Sequence, residues 1–392
     1  MNDKILLVDD EPKVLAAIKR QLRKKFRFET ALSGEEALKV IDEKGPFAVV
    51  VSDYKMPGMN GIDFLCKVKT VDPDTVRMML TGSADMSTAI QAVNEGSIFQ
   101  FHPKPCPAET LGQAIKSGID KYRETTDSQT EMKKIKTSLE DASLIQQTLM
   151  PKTVPQVDGY DIAGQSIPCD ETGGDYYDFI TPDEWGQEKI GIVVADVIGH
   201  GISAALLMTS VRASFRERVF SPGNGVAIVS DVNKRGNGVA IVSDVNKRLV
   251  QDIEELNLFI TMFYSEIDIK EKCFRWVHAG HESALSYDPA TDTFDTLGGK
   301  GLPLGVMQDC VYTEANIQIQ PGQIILIGTD GLKEATNSQN ELFGNNRLQM
   351  VMRDNYRKPA KDILDEVFEA LENFRGSAIR QDDETLVVIK VK

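Results

Sequence analysis

Acidic residues flanked by glycine stand at four places where an apolar run begins or stops, and gathering them is the strongest constraint on how this chain folds. Asp175 follows Thr172-Gly173-Gly174 and precedes Y-Y-D-F-I, which reads as a short strand; Asp196 ends the apolar run 190–195 and leads into Gly199-His200-Gly201. Downstream, the run 324–327 enters Gly328-Thr329-Asp330-Gly331, and Asp382-Asp383-Glu384-Thr385 precedes L-V-V-I. Glycine lets a backbone approach a ligand closely, and side chains at strand ends point into open space. One strand-end Asp is an ordinary turn former. Four with these flanks describe a metal cleft. Carboxylates so crowded repel one another unless a divalent cation neutralises them, and oxygen-only ligands favour magnesium or manganese over zinc. Two such ions roughly 3.5 to 4 Å apart can activate a bridging water for in-line attack on phosphorus.

In these motifs the chain resembles the metal-dependent type-2C (PPM) protein phosphatases, in the bacterial branch that includes the SpoIIE and RsbU phosphatases, over about residues 139–392. The resemblance implies catalytic and metal-binding roles for Asp175 of G-G-D, Asp196 of D-V-I-G-H-G, Asp330 of T-D-G and Asp382 of D-D-E-T, with Val197 lending a backbone carbonyl. It implies two Mg2+ or Mn2+ ions and hydrolysis of phosphoserine or phosphothreonine on a partner protein, an anti-anti-sigma factor in this branch. The implied architecture is an α/β antiparallel sandwich flanked by helices. Short aromatic and β-branched strands at 160–163, 259–269, 274–279 and 311–319, separated by turns such as D-P-A-T-D, read the same way. Helical patterns occupy 203–219, 345–355 and 360–374.

The N-terminal segment has a different grammar. Apolar runs at 5–8, 49–51, 78–80 and 99–101 alternate with helical patterns, which predicts a doubly wound parallel sheet with helices on both faces. The runs stop at Asp9-Asp10, Ser52-Asp53, Thr81-Gly82 and, beyond Phe101, Lys104. In open α/β sheets the functional crevice lies beyond the carboxyl ends of the strands, so these groups should converge. Carboxylates, a hydroxyl and an ammonium suit one Mg2+, a reactive Asp and donors for a phosphoryl group. The set resembles the five-stranded, flavodoxin-like receiver domain of two-component response regulators. That resemblance implies Asp53 as phosphoacceptor, Asp9 and Asp10 with Asp53 at the metal, Thr81 and Phe101 as switch residues, Lys104 as phosphate contact and a sensor histidine kinase as partner.

At 392 residues, and about 150 per domain, two or three domains are expected. The divisions are a receiver at 1–122, a helical linker at 123–150 and a phosphatase domain at 151–392. A net charge of -15 argues against a nucleic-acid partner, and no helix-turn-helix pattern or basic face marks a DNA-binding output. Cys66, Cys106, Cys169, Cys273 and Cys310 form no C-x-x-C, which suits a reducing compartment. With no signal-peptide pattern and no apolar run near the roughly 20 residues of a membrane helix, the expected location is the cytoplasm, without a membrane partner.

Between Pro107 and Pro151 no proline interrupts a helix. Met132, Ile135, Leu139, Ala142, Ile145 or Gln146, and Leu149 recur at spacings of three and four. This seam fits a coiled-coil homodimer or a helix packed on its own phosphatase domain, and both can hold along different lengths. Residues 223–235 are repeated unchanged as 236–248. Thirteen residues rotate a helix by roughly 220° net, so one continuous helix cannot aim both copies at one core. One copy should dock and the other form an accessory element, by functional insertion or by a cloning or sequencing duplication. His278 and His281 of H-A-G-H lack the third partner of a zinc site and resemble a cleft-wall loop of the phosphatases. His200 is either a loop former or a proton donor to a leaving oxygen.

The function expected is therefore a receiver-regulated protein phosphatase, with helix movement as the link between the two sites. The alternative is a catalytically silent adaptor that binds an anti-sigma factor or another regulator.

Overall fold

The computed structural model describes residues 3–82, 98–185, 188–220, 238–253, 256 and 258–392. The chain divides into two compact units, Met1–Thr137 and Ser138–Lys392.

In the first unit, β1 (Lys4–Val8), β2 (Arg27–Ala31), β3 (Val49–Asp53), β4 (Val76–Thr81) and β5 (Gln100–Pro103) form a parallel sheet in the order β2-β1-β3-β4-β5. Successive side chains of a strand point to opposite faces, and both faces here are covered, so the central strands are apolar throughout. Ile5, Leu7, Val49, Val51 and Met78 pack one way with Leu15 and Leu22 of α1 (Pro12–Leu22) and with Leu111, Ile115 and Ile119. Leu6, Val8, Val50 and Met79 pack the other way, against Ala37 and Ile41 of α2 (Gly34–Lys44) and Phe64, Leu65 and Val68 of α3 (Gly61–Val71). The registers Val8↔Ser52, Asp53↔Leu80 and Thr81↔Pro103 bring the polar strand ends to one edge. A single helix, α4, spans Ala108–Leu149; its buried residues, from Leu111 to Tyr122, belong to this first unit.

The second unit stacks two five-stranded antiparallel sheets, β13-β10-β9-β8-β7 and β12-β11-β14-β15-β6. Their strands are β6 (Tyr160–Ile167), β7 (Tyr176–Ile180), β8 (Lys189–Val197), β9 (Ile260–Asp268), β10 (Cys273–Ala279), β11 (Ala284–Asp288), β12 (Thr293–Leu297), β13 (Glu314–Gln318), β14 (Ile324–Gly328) and β15 (Glu384–Val391). Between the sheets, Ile192, Val194, Phe263 and Phe274 meet Ile325, Ile327, Val387 and Ile389. The outer face of the first sheet is covered by α5 (Ile202–Phe220) and α6 (Gly238–Ile253) through Met208, Val211, Phe215, Val242 and Val245. The outer face of the second packs Ile324, Leu326, Leu386 and Val388 on α7 (Gly344–Asn355) and α8 (Ala360–Arg375). Both faces of β14 and β15 are thus buried, which is why I-I-L-I and L-V-V-I lack the polar alternation of a solvent-facing sheet. The expected α/β architecture is present in both units.

The second copy of the repeat supplies α6, with Ile241, Val242, Val245 and Asn246 buried. Residues 223–235, the first copy, lie outside the described residues. Because the copies are identical, removing either leaves the same polypeptide, which retains one copy to build α6. Deleting thirteen residues should leave melting temperature and turnover unchanged; a large loss of either would show that the extra copy contributes.

Candidate active site

The loop before β7 is built around a carboxylate outside the set of four. Asp383 Oδ2 accepts from the backbone N–H groups of Gly174 (2.5 Å) and Asp175 (3.3 Å), and Oδ1 from that of Cys169 (2.8 Å). The glycines are required by contact. A Cβ on Gly173 would stand 2.6 Å from Asp383 Oδ2, and one on Gly331 2.1 Å from the Asp383 carbonyl oxygen. A Cβ on Gly174 would meet the Val197 carbonyl oxygen at 3.0 Å, so that carbonyl lies beside the loop. Thr329, buried, donates from Oγ1 to Asp175 Oδ2 (2.8 Å) and accepts from the Thr385 N–H (3.1 Å), tying β14, β15 and the loop into one knot.

Asp175, Asp196, Asp330 and Asp382 are electrostatically linked around this knot. Burial pushes the Asp175 carboxyl well above its ordinary range, with Asp196 and Asp383 adding to the effect. Asp196 is pushed up to about 7 by burial and then by Asp330, Asp382 and Asp383. Burial also raises Asp330, helped by Glu282, and Asp382, helped by Asp330 and Asp383. The nearby ammonium of Lys333 is engaged by Glu282 at 2.5 Å. Asp175 Oδ1 is buried with no hydrogen-bond partner. Buried acceptors are normally satisfied. An orphaned carboxylate oxygen among like charges fits hard divalent cations.

Residues outside the four-carboxylate set lie around the site. Gln146 of α4 clamps one residue of the loop: its Nε2 donates to the Gly173 carbonyl (2.6 Å) and its Oε1 accepts from the Gly173 N–H (3.1 Å). The heptad pattern placed Gln146 at a seam position; the structure uses it as a loop clamp. His281 is buried, its Nδ1 2.6 Å from Thr261 Oγ1, and burial with His278 and Lys333 lowers its pKa to about 3, so it stays neutral. His278 Nε2 turns to the His281 carbonyl oxygen, so H-A-G-H braces itself rather than presenting two ligands to one ion. His200 Nδ1 lies 2.6 Å from Asp170 Oδ2, and that carboxylate raises its pKa.

The first unit carries a smaller acidic site. Asp9, Asp10 and Asp53 each offer an oxygen within 4.8 Å of the others. Lys104 Nζ lies 2.7 Å from Asp9 Oδ2 and 2.6 Å from Asp53 Oδ1. Burial raises the Asp53 carboxyl while Lys104 opposes it. Thr81 is buried at the end of β4 beside Lys104, whose N–H donates to the Thr81 carbonyl (2.8 Å), and the Lys104–Pro105 bond is cis. Phe101 is half-buried on β5 against the α2/α3 core. A carboxylate held between an ammonium and two more carboxylates can take a phosphoryl group once a cation offsets the charge.

Comparison with known proteins agrees with both units. The response regulator receiver domain family matches residues 5–116, and the Stage II sporulation protein E (SpoIIE) family matches residues 186–392. Phosphoserine phosphatase RsbU of Bacillus subtilis is 30% identical over 258 residues, covering 66% of this chain and 71% of RsbU. Phosphoserine phosphatase RsbP of the same organism is 27% identical over 237 residues; this chain matches 52% of its length. Among solved structures, the SiaA-PP2C domain of Pseudomonas aeruginosa superposes with a TM-score of 0.57 at 22% identity, covering 67% of this chain and 99% of that domain, which shows a shared fold.

Asp383→Ala strands three N–H groups, two of them on the loop that carries Asp175. It should cost about 2–6 kcal/mol in urea denaturation, each of the two buried donors left unsatisfied costing about 1–3 kcal/mol. Folded Asp196 holds its proton up to about 7, whereas an unfolded aspartate releases it near 4. The ion-free protein therefore binds more protons folded than unfolded, and its stability falls as pH rises from about 4 to about 7. Mn2+ should raise the melting temperature more at pH 8 than at pH 5; equal shifts would contradict the assigned charge crowding.

Proposed function

This chain belongs to the SpoIIE family of protein phosphatases and carries a response regulator receiver domain, and from that premise we propose that it is a phosphorylation-controlled, metal-dependent protein serine/threonine phosphatase of a partner-switching pathway. The observation that carries this reading is the orphaned Oδ1 of buried Asp175 within the mutually raised set of Asp196, Asp330 and Asp382. Those four carboxylates and the Val197 carbonyl would hold two Mg2+ or Mn2+ ions. Bound there, the ions supply neutralising charge and an activated water for attack on phosphorus. The chain's own contribution is positional. Asp383 and Gln146 pin the loop that presents Asp175, and Thr329 orients that carboxylate through its other oxygen.

The substrate in this reading is a phosphoserine or phosphothreonine on an anti-anti-sigma factor. RsbU and RsbP, both named phosphoserine phosphatases, support the phosphoserine part. Asp53 takes its phosphoryl group from a sensor histidine kinase, with Asp9 and Asp10 completing a one-Mg2+ site and Lys104, Thr81 and Phe101 reading the result. Control of the phosphatase then runs through α4, which starts in the receiver unit and places Gln146 on the Gly173 peptide. Met132, Ile135, Leu144 and Ile145 of α4 are 51–66% exposed, which supports a homodimer seam along that helix. No helix among the described residues is long and apolar enough to cross a membrane.

Phosphate release from a phosphoserine peptide should require Mn2+ or Mg2+ and fall on the order of a hundredfold or more in Asp330→Asn. Acetyl phosphate should change turnover of the wild type but not of Asp53→Ala, and Gln146→Ala should blunt the response while keeping metal dependence. Equal rates in wild type and Asp53→Ala, with and without acetyl phosphate, would remove the regulatory link.

A further inference from the structure

At the rim of the carboxylate cleft, three ligand types of different chemistry converge. Cys169 Sγ, a carboxylate oxygen of Asp170 and a ring nitrogen of His200 lie within 4.8 Å of one another. They come from two segments. Cys169 and Asp170 precede the G-G-D loop, and the Cys169 N–H is anchored on Asp383 Oδ1 (2.8 Å). His200 sits between Gly199 and Gly201, whose left-handed φ values of 84° and 78° form the turn that carries the imidazole. Asp170 and His200 already meet at 2.6 Å with side chains 45% and 58% exposed, so a solvated ion can reach them. None of the three belongs to the four-carboxylate set, and the self-braced H-A-G-H loop takes no part.

We propose that Cys169, Asp170 and His200 form an accessory site for a borderline-soft transition ion, Zn2+ above all, beside the oxygen-only cleft. A thiolate, an imidazole and a carboxylate with a fourth position open to solvent are the donors of a tetrahedral zinc site, whereas Mg2+ and Mn2+ prefer oxygen alone. Zinc bonds of about 2.0–2.3 Å bring such donors closer together than 4.8 Å, a contraction that the exposed His200 turn can make. Binding releases the thiol proton and the proton between His200 and Asp170 to solvent. One thiolate and one carboxylate then balance the dication, so the complex adds no net charge beside the acidic cleft. Occupancy ties the turn after Asp196 and Val197 to the segment that leads into Asp175.

Co2+ is the probe, because thiolate coordination gives it a near-ultraviolet charge-transfer band that carboxylate coordination does not. Titrated into the full chain in excess Mg2+, Co2+ should produce this band to saturation at a single equivalent, and Zn2+ should displace it. Cys169→Ser should abolish the band, and His200→Ala or Asp170→Asn should weaken Co2+ binding by at least roughly tenfold. No thiolate band in the wild type, or a band of full strength in Cys169→Ser, would overturn the proposal. If Cys169→Ser folds poorly, the two exposed positions decide: undiminished binding in both His200→Ala and Asp170→Asn overturns it as well.

Discussion

The second unit is organised around repulsion. Asp175, Asp196, Asp330, Asp382 and Asp383 bear on one another electrostatically beside a sandwich whose interior is almost wholly hydrocarbon. Two unit charges 4 Å apart interact by about 4 kcal/mol at an effective dielectric of 20. A cluster of them left bare would therefore consume much of a domain's net stability of about 5–15 kcal/mol. The protein meets this in two ways. Asp383 is held by three backbone N–H groups, and burial with the neighbouring carboxylates pushes the Asp196 carboxyl up to about 7, which favours its neutral form. Burying both faces of β14 and β15 supplies the scaffold that holds the charges in place.

The receiver unit handles the same problem with its own cation. Lys104 bridges Asp9 and Asp53 directly, so that site is partly neutralised before any ion arrives. In the phosphatase unit the ammonium near Asp330 is drawn to Glu282 instead. The two sites therefore differ in what they demand. That difference fits the roles proposed for them, a nucleophile at Asp53 and carboxylate ligands to exchangeable ions in the second unit.

What could be read in advance follows from how local each signal is. Apolar runs ending in acids and glycines are local, and they placed most of the strands. β2 was not singled out, because R-F-E-T-A lies at the edge of its sheet and alternates rather than running apolar. Asp383 was visible only as the second letter of a doublet; its role needs the Gly174 and Asp175 N–H groups, more than two hundred residues away in sequence. Gln146 carried a weaker signal still, since an i, i+3/i+4 pattern records which face of a helix is used but not whether a carbon or an amide does the work. The repeat showed that two copies cannot share a core, yet identical sequences give no means of choosing between them.

Gln146 also bears on the two readings of α4. Residues on a helix advance by about 100° each, so Leu144 stands about 160° from Gln146, nearly opposite. Leu139, Ser143, Gln146 and Met150 are half-buried, whereas Leu144 and Ile145 are exposed. One face can clamp the Gly173 loop while the other remains open to a second helix. Gln146 commits both its donor and its acceptor to a single residue, Gly173, so a rotation of α4 by one residue's worth would break both bonds together. A contact of that kind has two states with little between them. In the proposed control, such a contact would let movement of the helix act on the loop that presents Asp175.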